Sequence, residues 1–112
     1  DTENPVIFYK EGTWARPLKN EIWEVGCDVR YWLLAGQLMC VELPEKIEAL
    51  IAGEAFGKIF TGSGQTEDIV SPMTGKVIEL NHNANTAMSA LIRDNLSEGW
   101  LLWLARIQPI TL

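Results

Sequence analysis

The residues of this chain that could do chemistry are few, and most lie in one glycine-rich stretch, Gly57–Gly75. Within it, Gly62-Ser63-Gly64 offers a serine between two glycines, and Glu67-Asp68 offers two adjacent carboxylates. A serine nucleophile needs a base within hydrogen-bond reach, and two carboxylates that share a proton must face each other. The chain has one histidine, His82, in a polar, asparagine-rich segment.

These residues do not combine into a catalytic set. Adjacent side chains of a strand point to opposite faces, so Glu67 and Asp68 are predicted to lie apart. The glycine pair lacks the third glycine, the following lysine and the helix start of a phosphate-binding loop, which favours a plain turn. His82 is interpreted as a solvated loop residue rather than as a base for Ser63. The sequence predicts no catalytic residues, and the chain is not expected to be an enzyme.

Metal ligands are equally scarce. Cys27 and Cys40 form no CxxC pair, and one histidine is too few for a Cys/His zinc site. We therefore expect no metal site and two free, buried thiols, which are typical of a reducing cytoplasm. Asp1 is not an initiator methionine, so the sequence leaves open whether an N-terminal leader peptide has been removed.

Composition narrows the class further. The chain has 112 residues, of which 47% are hydrophobic and 21% charged, and this predicts a single globular domain over residues 1–112. No apolar run approaches the roughly 20 residues that a membrane-spanning helix needs. The net charge is -6 and there is no basic cluster. Neither a membrane nor nucleic acid is therefore an expected partner.

The elements that must position the glycine-rich stretch are short strands separated by glycine and proline. Two of them form a hairpin whose tip contains Gly62, Ser63, Gly64 and Gln65, because glycine accepts the positive φ that a tight turn requires. The strands are predicted at 8–16 (broken by Gly12), 21–26, 38–43, 55–60, 69–70, 76–80 and 100–107, and 46–53 is a connector.

Helices are predicted to be few. Asp28 is a candidate N-cap for a short helix that ends near Gly36. Residues 81–89 are predicted to be a loop, and 90–95 a helical turn. Many short strands with one or two short helices indicate a mainly β fold, a barrel or a sandwich.

Six sequence motifs follow one another along the chain. They are Lys10-Glu11-Gly12-Thr13-Trp14-Ala15-Arg16; Val25-Gly26 through Gly36 to Val41-Glu42-Leu43-Pro44-Glu45; Ala52-Gly53-Glu54-Ala55-Phe56-Gly57; Ser71-Pro72-Met73-Thr74-Gly75-Lys76-Val77; Glu79 with Asn81; and Glu98-Gly99-Trp100-Leu101. Each motif is weak alone, but the order and near-constant spacing of all six are specific. In these motifs the chain resembles the H protein of the glycine cleavage system, the lipoyl carrier, over nearly its whole length.

The resemblance implies a flattened β-barrel, a barrel-sandwich hybrid of the lipoyl-domain type. It also implies that a lysine at the hairpin tip carries lipoate and shuttles aminomethyl groups between enzymes. This chain departs from that pattern, because no lysine lies between Lys58 and Lys76. The carrier position falls at Ser63 when counted forward from Gly57 and at Gly64 when counted back from Ser71, since this hairpin is one residue longer.

A second departure concerns apolar residues where the family is polar. Tyr31-Trp32-Leu33-Leu34 leaves the first helix almost no polar face, and Trp103 stands where the family commonly has lysine. A repacked internal core is one interpretation. A partner surface formed by Trp32, Leu33 and Trp103 is the other, because tryptophan anchors dominate protein interfaces.

The sequence thus predicts an H-protein-like binding or regulatory module without lipoate or any other cofactor. Its partner is expected to be a protein, either a glycine-cleavage-type enzyme or another enzyme that recognises lipoyl domains, and a homo-oligomer is a further option. The alternative is a lipoyl carrier that uses an atypical lysine, for which Lys58 is the nearest candidate. An independent enzyme has no supporting residue cluster.

Overall fold

The computed structural model describes residues 5–9, 11–31, 38–62, 64–94 and 101–110. The described strands are β1 (Ile7–Phe8), β2 (Thr13–Pro17), β3 (Trp23–Asp28), β4 (Leu38–Glu42), β5 (Ala49–Leu50), β6 (Ala55–Thr61), β7 (Thr66–Val70), β8 (Gly75–Leu80) and β9 (Leu101–Pro109). The other described elements are an α-helix, α1 (Ala84–Asp94), a 3-10 turn, Lys19–Glu21, and a helical segment at residues 29–31. Within these ranges no helix is long and apolar enough to cross a membrane.

The strands form two antiparallel sheets, which confirms the predicted mainly β class. In the described residues the larger sheet has the order β1-β2-β3-β9-β8-β5, and the smaller one has the order β4-β6-β7. Apolar residues from both sheets pack into one core, because strands that alternate apolar and polar residues bury a single face. Its fully buried members include Val25, Ile59, Ile69, Leu104 and Ile107.

Trp14 on β2 and Gly26 on β3 lie directly opposite each other. The Trp14 side chain is fully buried, and its indole Nε1 donates a hydrogen bond to the Cys27 carbonyl oxygen at 2.9 Å. The indole occupies the space that a side chain at position 26 would need: a Cβ there would lie 2.4 Å from Trp14 Cζ2 and 2.2 Å from the Leu102 carbonyl oxygen. Position 26 therefore accepts only glycine without rearrangement.

A row of alternating charges crosses four strands of the larger sheet. Its members occupy paired register positions on β2, β3, β9 and β8, in the order Arg16, Glu24, Arg106, Glu79. Glu24 is only 2% exposed, and its two carboxylate oxygens accept from Arg16 at 2.8 Å and from Arg106 at 2.9 Å. Arg106 also reaches Glu79 at 3.0 Å. Partial burial lowers the pKa of Arg106, but hydrogen bonds to both carboxylates outweigh it and leave the pKa above its ordinary value.

The prediction that residues 81–89 form a loop is wrong, because α1 begins at Ala84. Its start is prepared by Asn81, whose side-chain oxygen accepts the Asn83 backbone N–H at 3.1 Å. Ala84 and Met88 are one turn apart and both are buried against the core. With the half-buried Ala87 they form an apolar face, and Asn85, Thr86 and Ser89 are exposed.

Helix α1 also closes the outer edge of β4. The Asn85 side chain accepts the Val41 backbone N–H at 2.7 Å and donates to the Val41 carbonyl oxygen at 2.9 Å. A side-chain amide carries one acceptor and one donor, so it satisfies the same two groups that a neighbouring strand would. This pair of bonds joins α1 to the smaller sheet.

The other predicted boundaries hold with small shifts. Asp28 caps a helical segment at residues 29–31, since its carboxylate accepts the Arg30 N–H at 3.1 Å. The rest of the predicted helix, residues 32–36 with Trp32 and Leu33, lies outside the described residues. β2 continues through Pro17 instead of ending before it, and the 46–53 connector contains β5.

Candidate functional site: the hairpin of strands β6 and β7

The hairpin predicted from the glycine-rich stretch is present. β6 and β7 are paired from Ala55↔Val70 to Phe60↔Thr66, with one bulge between Ala55 and Gly57. At the tip, the Gly64 N–H donates to the Thr61 carbonyl at 3.0 Å, and the Thr61 N–H donates to the Gln65 carbonyl at 2.9 Å. Gly64 has φ +88°, a left-handed conformation that glycine adopts without a steric penalty. This explains why the tip needs glycine there.

The base of the hairpin is fixed by the Ser71-Pro72-Met73-Thr74-Gly75 turn. Ser71 is buried, and its hydroxyl donates to the Met73 carbonyl at 2.7 Å. Its backbone N–H donates to the Glu54 carbonyl and its own carbonyl accepts the Gly53 N–H, each at 2.9 Å. The hairpin therefore projects from an ordered base, and Gly62, Gly64 and Gln65 are exposed at its tip.

Lys58, the nearest lysine before the tip, lies on the face of the smaller sheet and not at its tip. Its cross-strand partners are Glu42 on β4 and Asp68 on β7, and its amine lies 3.1 Å from an oxygen of the Asp68 carboxylate. Lys58 lies three positions before Thr61, which places it about 10 Å along the strand from the start of the turn. Lys76 belongs to β8 of the other sheet, opposite Ala49 and Gln108.

The tip itself offers no amine. Ser63 lies outside the described residues, and the other three tip residues carry no basic group. Glu67 pairs with Ile59 and Asp68 with Lys58, so the two adjacent carboxylates face opposite sides of the sheet. His82 is exposed in the turn before α1. Over the described ranges, no group of three His, Cys, Asp or Glu residues is placed to hold a metal ion.

Trp103, one residue of the predicted partner surface, is half-buried on β9 opposite Gly26. The Arg106 guanidinium stacks on it, with the guanidinium carbon 3.9 Å from the ring centroid, a cation–π contact. Its carbonyl accepts a hydrogen bond from the Asn81 side chain at 2.9 Å. Part of the indole is thus already covered within the chain. Its role in binding a partner stays a prediction.

The two thiols differ in burial. Both are free; Cys27 is buried and Cys40 is half-buried. Burial, followed by the nearby Asp28 charge, raises the pKa of Cys27 from 9.0 to about 12. Only a thiolate attacks an alkylating reagent, so Cys27 remains an inert thiol in the folded chain.

We expect iodoacetamide at pH 8 to alkylate Cys40 and to leave Cys27 unmodified until the chain is unfolded in urea. Peptide mass mapping with and without urea measures this, and equal labelling of both cysteines in the folded chain would contradict it.

The raised pKa of Cys27 also makes stability depend on pH. The unfolded thiol releases its proton near pH 9, whereas the folded thiol keeps it to about pH 12. The contribution of Cys27 to stability is therefore complete below pH 9 and is lost as the pH rises from there.

Two facing sheets with a hairpin that projects from an ordered base define a barrel-sandwich hybrid of the lipoyl-domain type. The model of the Glycine cleavage H-protein family matches residues 6–110. This chain belongs to that family. H proteins are carrier proteins and not enzymes, which agrees with the expectation that this chain is not an enzyme.

Individual relatives agree with the family assignment. The chain is 33% identical over 102 residues to a glycine cleavage system H protein of Xylella fastidiosa strain M12, covering 91% of this chain and 77% of the relative. It is 35% identical over 92 residues to the one from Gloeothece citriformis, covering 82% and 70%. The crystal structure of a glycine cleavage system H protein from Mycobacterium marinum superposes with a TM-score of 0.71 at 23% identity, covering 96% of this chain and 85% of that one.

Proposed function

We propose that this chain is a non-lipoylated binding or regulatory module of the H-protein type. The observation that carries the proposal is the composition of the hairpin: residues 59–75 contain no lysine. A lipoyl group is attached through an amide bond to a lysine ε-amine, and a serine hydroxyl or a glycine at the tip cannot substitute for it. Without the arm, the module has only its surface with which to act.

The neighbouring lysines do not restore a carrier. An acceptor amine must enter the active site of the attaching enzyme, which favours an exposed tip over a sheet face. Lys58 projects from the central strand of a three-stranded sheet and is bonded to Asp68. Lipoate attached there would start about 10 Å short of the turn.

The module is proposed to act as one domain over residues 1–112, in the cytoplasm, by docking to a protein that recognises the H-protein surface. A glycine-cleavage-type enzyme, or another enzyme that recognises lipoyl domains, is the proposed partner. In this role the module would occupy a docking site without delivering an aminomethyl group.

The test is co-expression with a lipoate-attaching enzyme, followed by intact mass analysis. We expect the natural chain to keep its unmodified mass. Because the residue count leaves both positions open, Ser63→Lys and Gly64→Lys are made as two separate variants. The lysine at the carrier position is expected to gain one lipoyl group. These variants show that the attaching enzyme recognises the scaffold. Ser63→Lys is the gentler change, since Gly64 has positive φ and any side chain there is strained.

Modification of the natural chain would instead support the lipoyl-carrier alternative. A Lys58→Arg variant keeps the charge and removes the acceptor amine, so loss of the added mass in that variant would assign the modification to Lys58. Stoichiometric aminomethyl transfer by the natural chain in a reconstituted glycine cleavage system would likewise refute the proposal.

A further inference from the structure

An apolar groove of about 560 Å³ lies beside Lys58 on the smaller sheet. The segment that follows β4 forms one wall, and β6 forms the floor. Leu43 and Ile47 are half-buried against the core and line the groove together with the buried Phe56.

The charges around this groove are unbalanced. The lining contains three carboxylates, Glu42, Glu45 and Asp68, and one ammonium, Lys58, a net charge of -2. The next groove along the 45–49 segment has three carboxylates and two lysines among its lining residues and is closer to neutral. Within the described part of the chain, Glu42 and Glu45 have no basic nitrogen within 4.0 Å. The groove therefore presents an apolar floor and a rim whose net charge is negative.

Lys58 is the one basic residue among those that line this groove. Its amine is held by Asp68 at 3.1 Å, while both side chains remain about half exposed, so water competes for the contact. Exposed ion pairs of this kind contribute little to stability and exchange partners readily. A cation brought by a partner would compete with Lys58 for Asp68 and for Glu42, which faces Lys58 across β4 and β6, and would meet Glu45 without competition.

We propose that this groove docks a segment of a partner protein that combines apolar and cationic side chains, and that Lys58 acts as an internal competitor for its cation. Charge complementarity selects this occupant, because an acidic or neutral segment would leave the rim carboxylates uncompensated. The apolar floor supplies contact area for the apolar side chains of the segment, and the carboxylates at the rim fix the orientation of the segment. The inference rests on the proposed function, since a module without a lipoyl arm acts through its surface.

The experiment uses a synthetic heptapeptide of alternating lysine and leucine as the probe for the partner segment. Binding to the ¹⁵N-labelled full chain is followed by amide chemical shifts. We expect the largest shifts at Leu43, Ile47, Phe56 and Gly57. A lysine–serine peptide removes the apolar part and a glutamate–leucine peptide reverses the charge, and each is expected to bind more weakly.

The contribution of the rim is tested with matched double variants. Glu42→Gln with Glu45→Gln is expected to weaken binding by about threefold to tenfold, the range for losing two exposed charge contacts. Glu11→Gln with Glu21→Gln makes the same change in net charge at exposed residues away from the groove and is expected to change affinity by less than about twofold. Equal weakening by both pairs would show attraction to net charge only and would overturn the proposal.

Replacing Lys58 tests the direction in which peptide affinity changes. Lys58→Gln removes the internal competitor, so the peptide is expected to bind about twofold to fivefold more tightly. Weaker binding by this variant would contradict the competitor role. Intact mass keeps the two proposals separable: a lipoylated Lys58 rejects the proposed function whatever the peptide does. An unmodified chain whose groove residues do not shift rejects only the groove.

Discussion

Gly26→Ala is expected to destabilise the protein by about 3 kcal/mol, the upper part of the usual range for overpacking. The new methyl group would lie 2.2 Å from the Leu102 carbonyl oxygen and 2.4 Å from the Trp14 ring. Neither neighbour can move freely, because the carbonyl belongs to the β9 backbone and the indole is buried and hydrogen-bonded to Cys27. Urea unfolding followed by tryptophan fluorescence measures the free energy of unfolding.

The control for this substitution is Gly53→Ala. Gly53 has positive φ (+86°), and a Cβ there would meet no atom within 4 Å. Its replacement costs only backbone strain, about 1 kcal/mol. If Gly26→Ala were no more destabilising than Gly53→Ala, the close packing of Trp14 on Gly26 would not contribute to stability as described.

Glu24→Gln is expected to cost about 2 kcal/mol. Removing one partner of a buried ion pair costs about 3–5 kcal/mol when the other charge stays buried. Here both arginines are about one-third exposed and can recover some hydration, which reduces the cost. The neutral amide also replaces one of the two accepting oxygens with an NH2 donor, which faces a guanidinium group that has no acceptor to offer. Thermal and urea unfolding of the variant measure the loss.

Glu79→Gln is the matched control in the same row of charges. Glu79 bonds to Arg106 at 3.0 Å, but its side chain is half exposed. The pair is therefore expected to contribute no more than about 1 kcal/mol, as exposed pairs do. Equal losses in the two variants would mean that burial of Glu24 does not distinguish its role from that of Glu79.

Most of the fold was predictable because its strands are marked locally. The pairs of β-branched or aromatic residues around the glycines predicted β6 and β7, and a polar–apolar alternation predicted β8. Helix α1 was missed because Asn83, Asn85 and Thr86 are typical of loops. A usable signal was present in Ala84 and Met88, which are spaced by one helical turn and follow an asparagine cap.

The candidate site was predictable only in part. The absence of a tip lysine is a property of the sequence. The Lys58–Asp68 pair was open to prediction, since both residues lie five positions from Ser63 and face each other across a hairpin centred there. The groove was not predictable from the sequence. Leu43, Ile47 and Phe56 line it because of the path that the 43–48 segment takes over the sheet, and no local sequence pattern specifies that path. The row from Arg16 to Glu79 likewise depends on the register of four strands.

The two hydrogen bonds between Asn85 and Val41 have a consequence for how molecules could assemble. An exposed strand edge is a template on which another chain can extend a sheet. At Val41 that template is already filled by a side chain of the same molecule. In the described part of the smaller sheet, β7 is the edge at the opposite side. A strand from another molecule would thus add to the smaller sheet at β7 and not at β4.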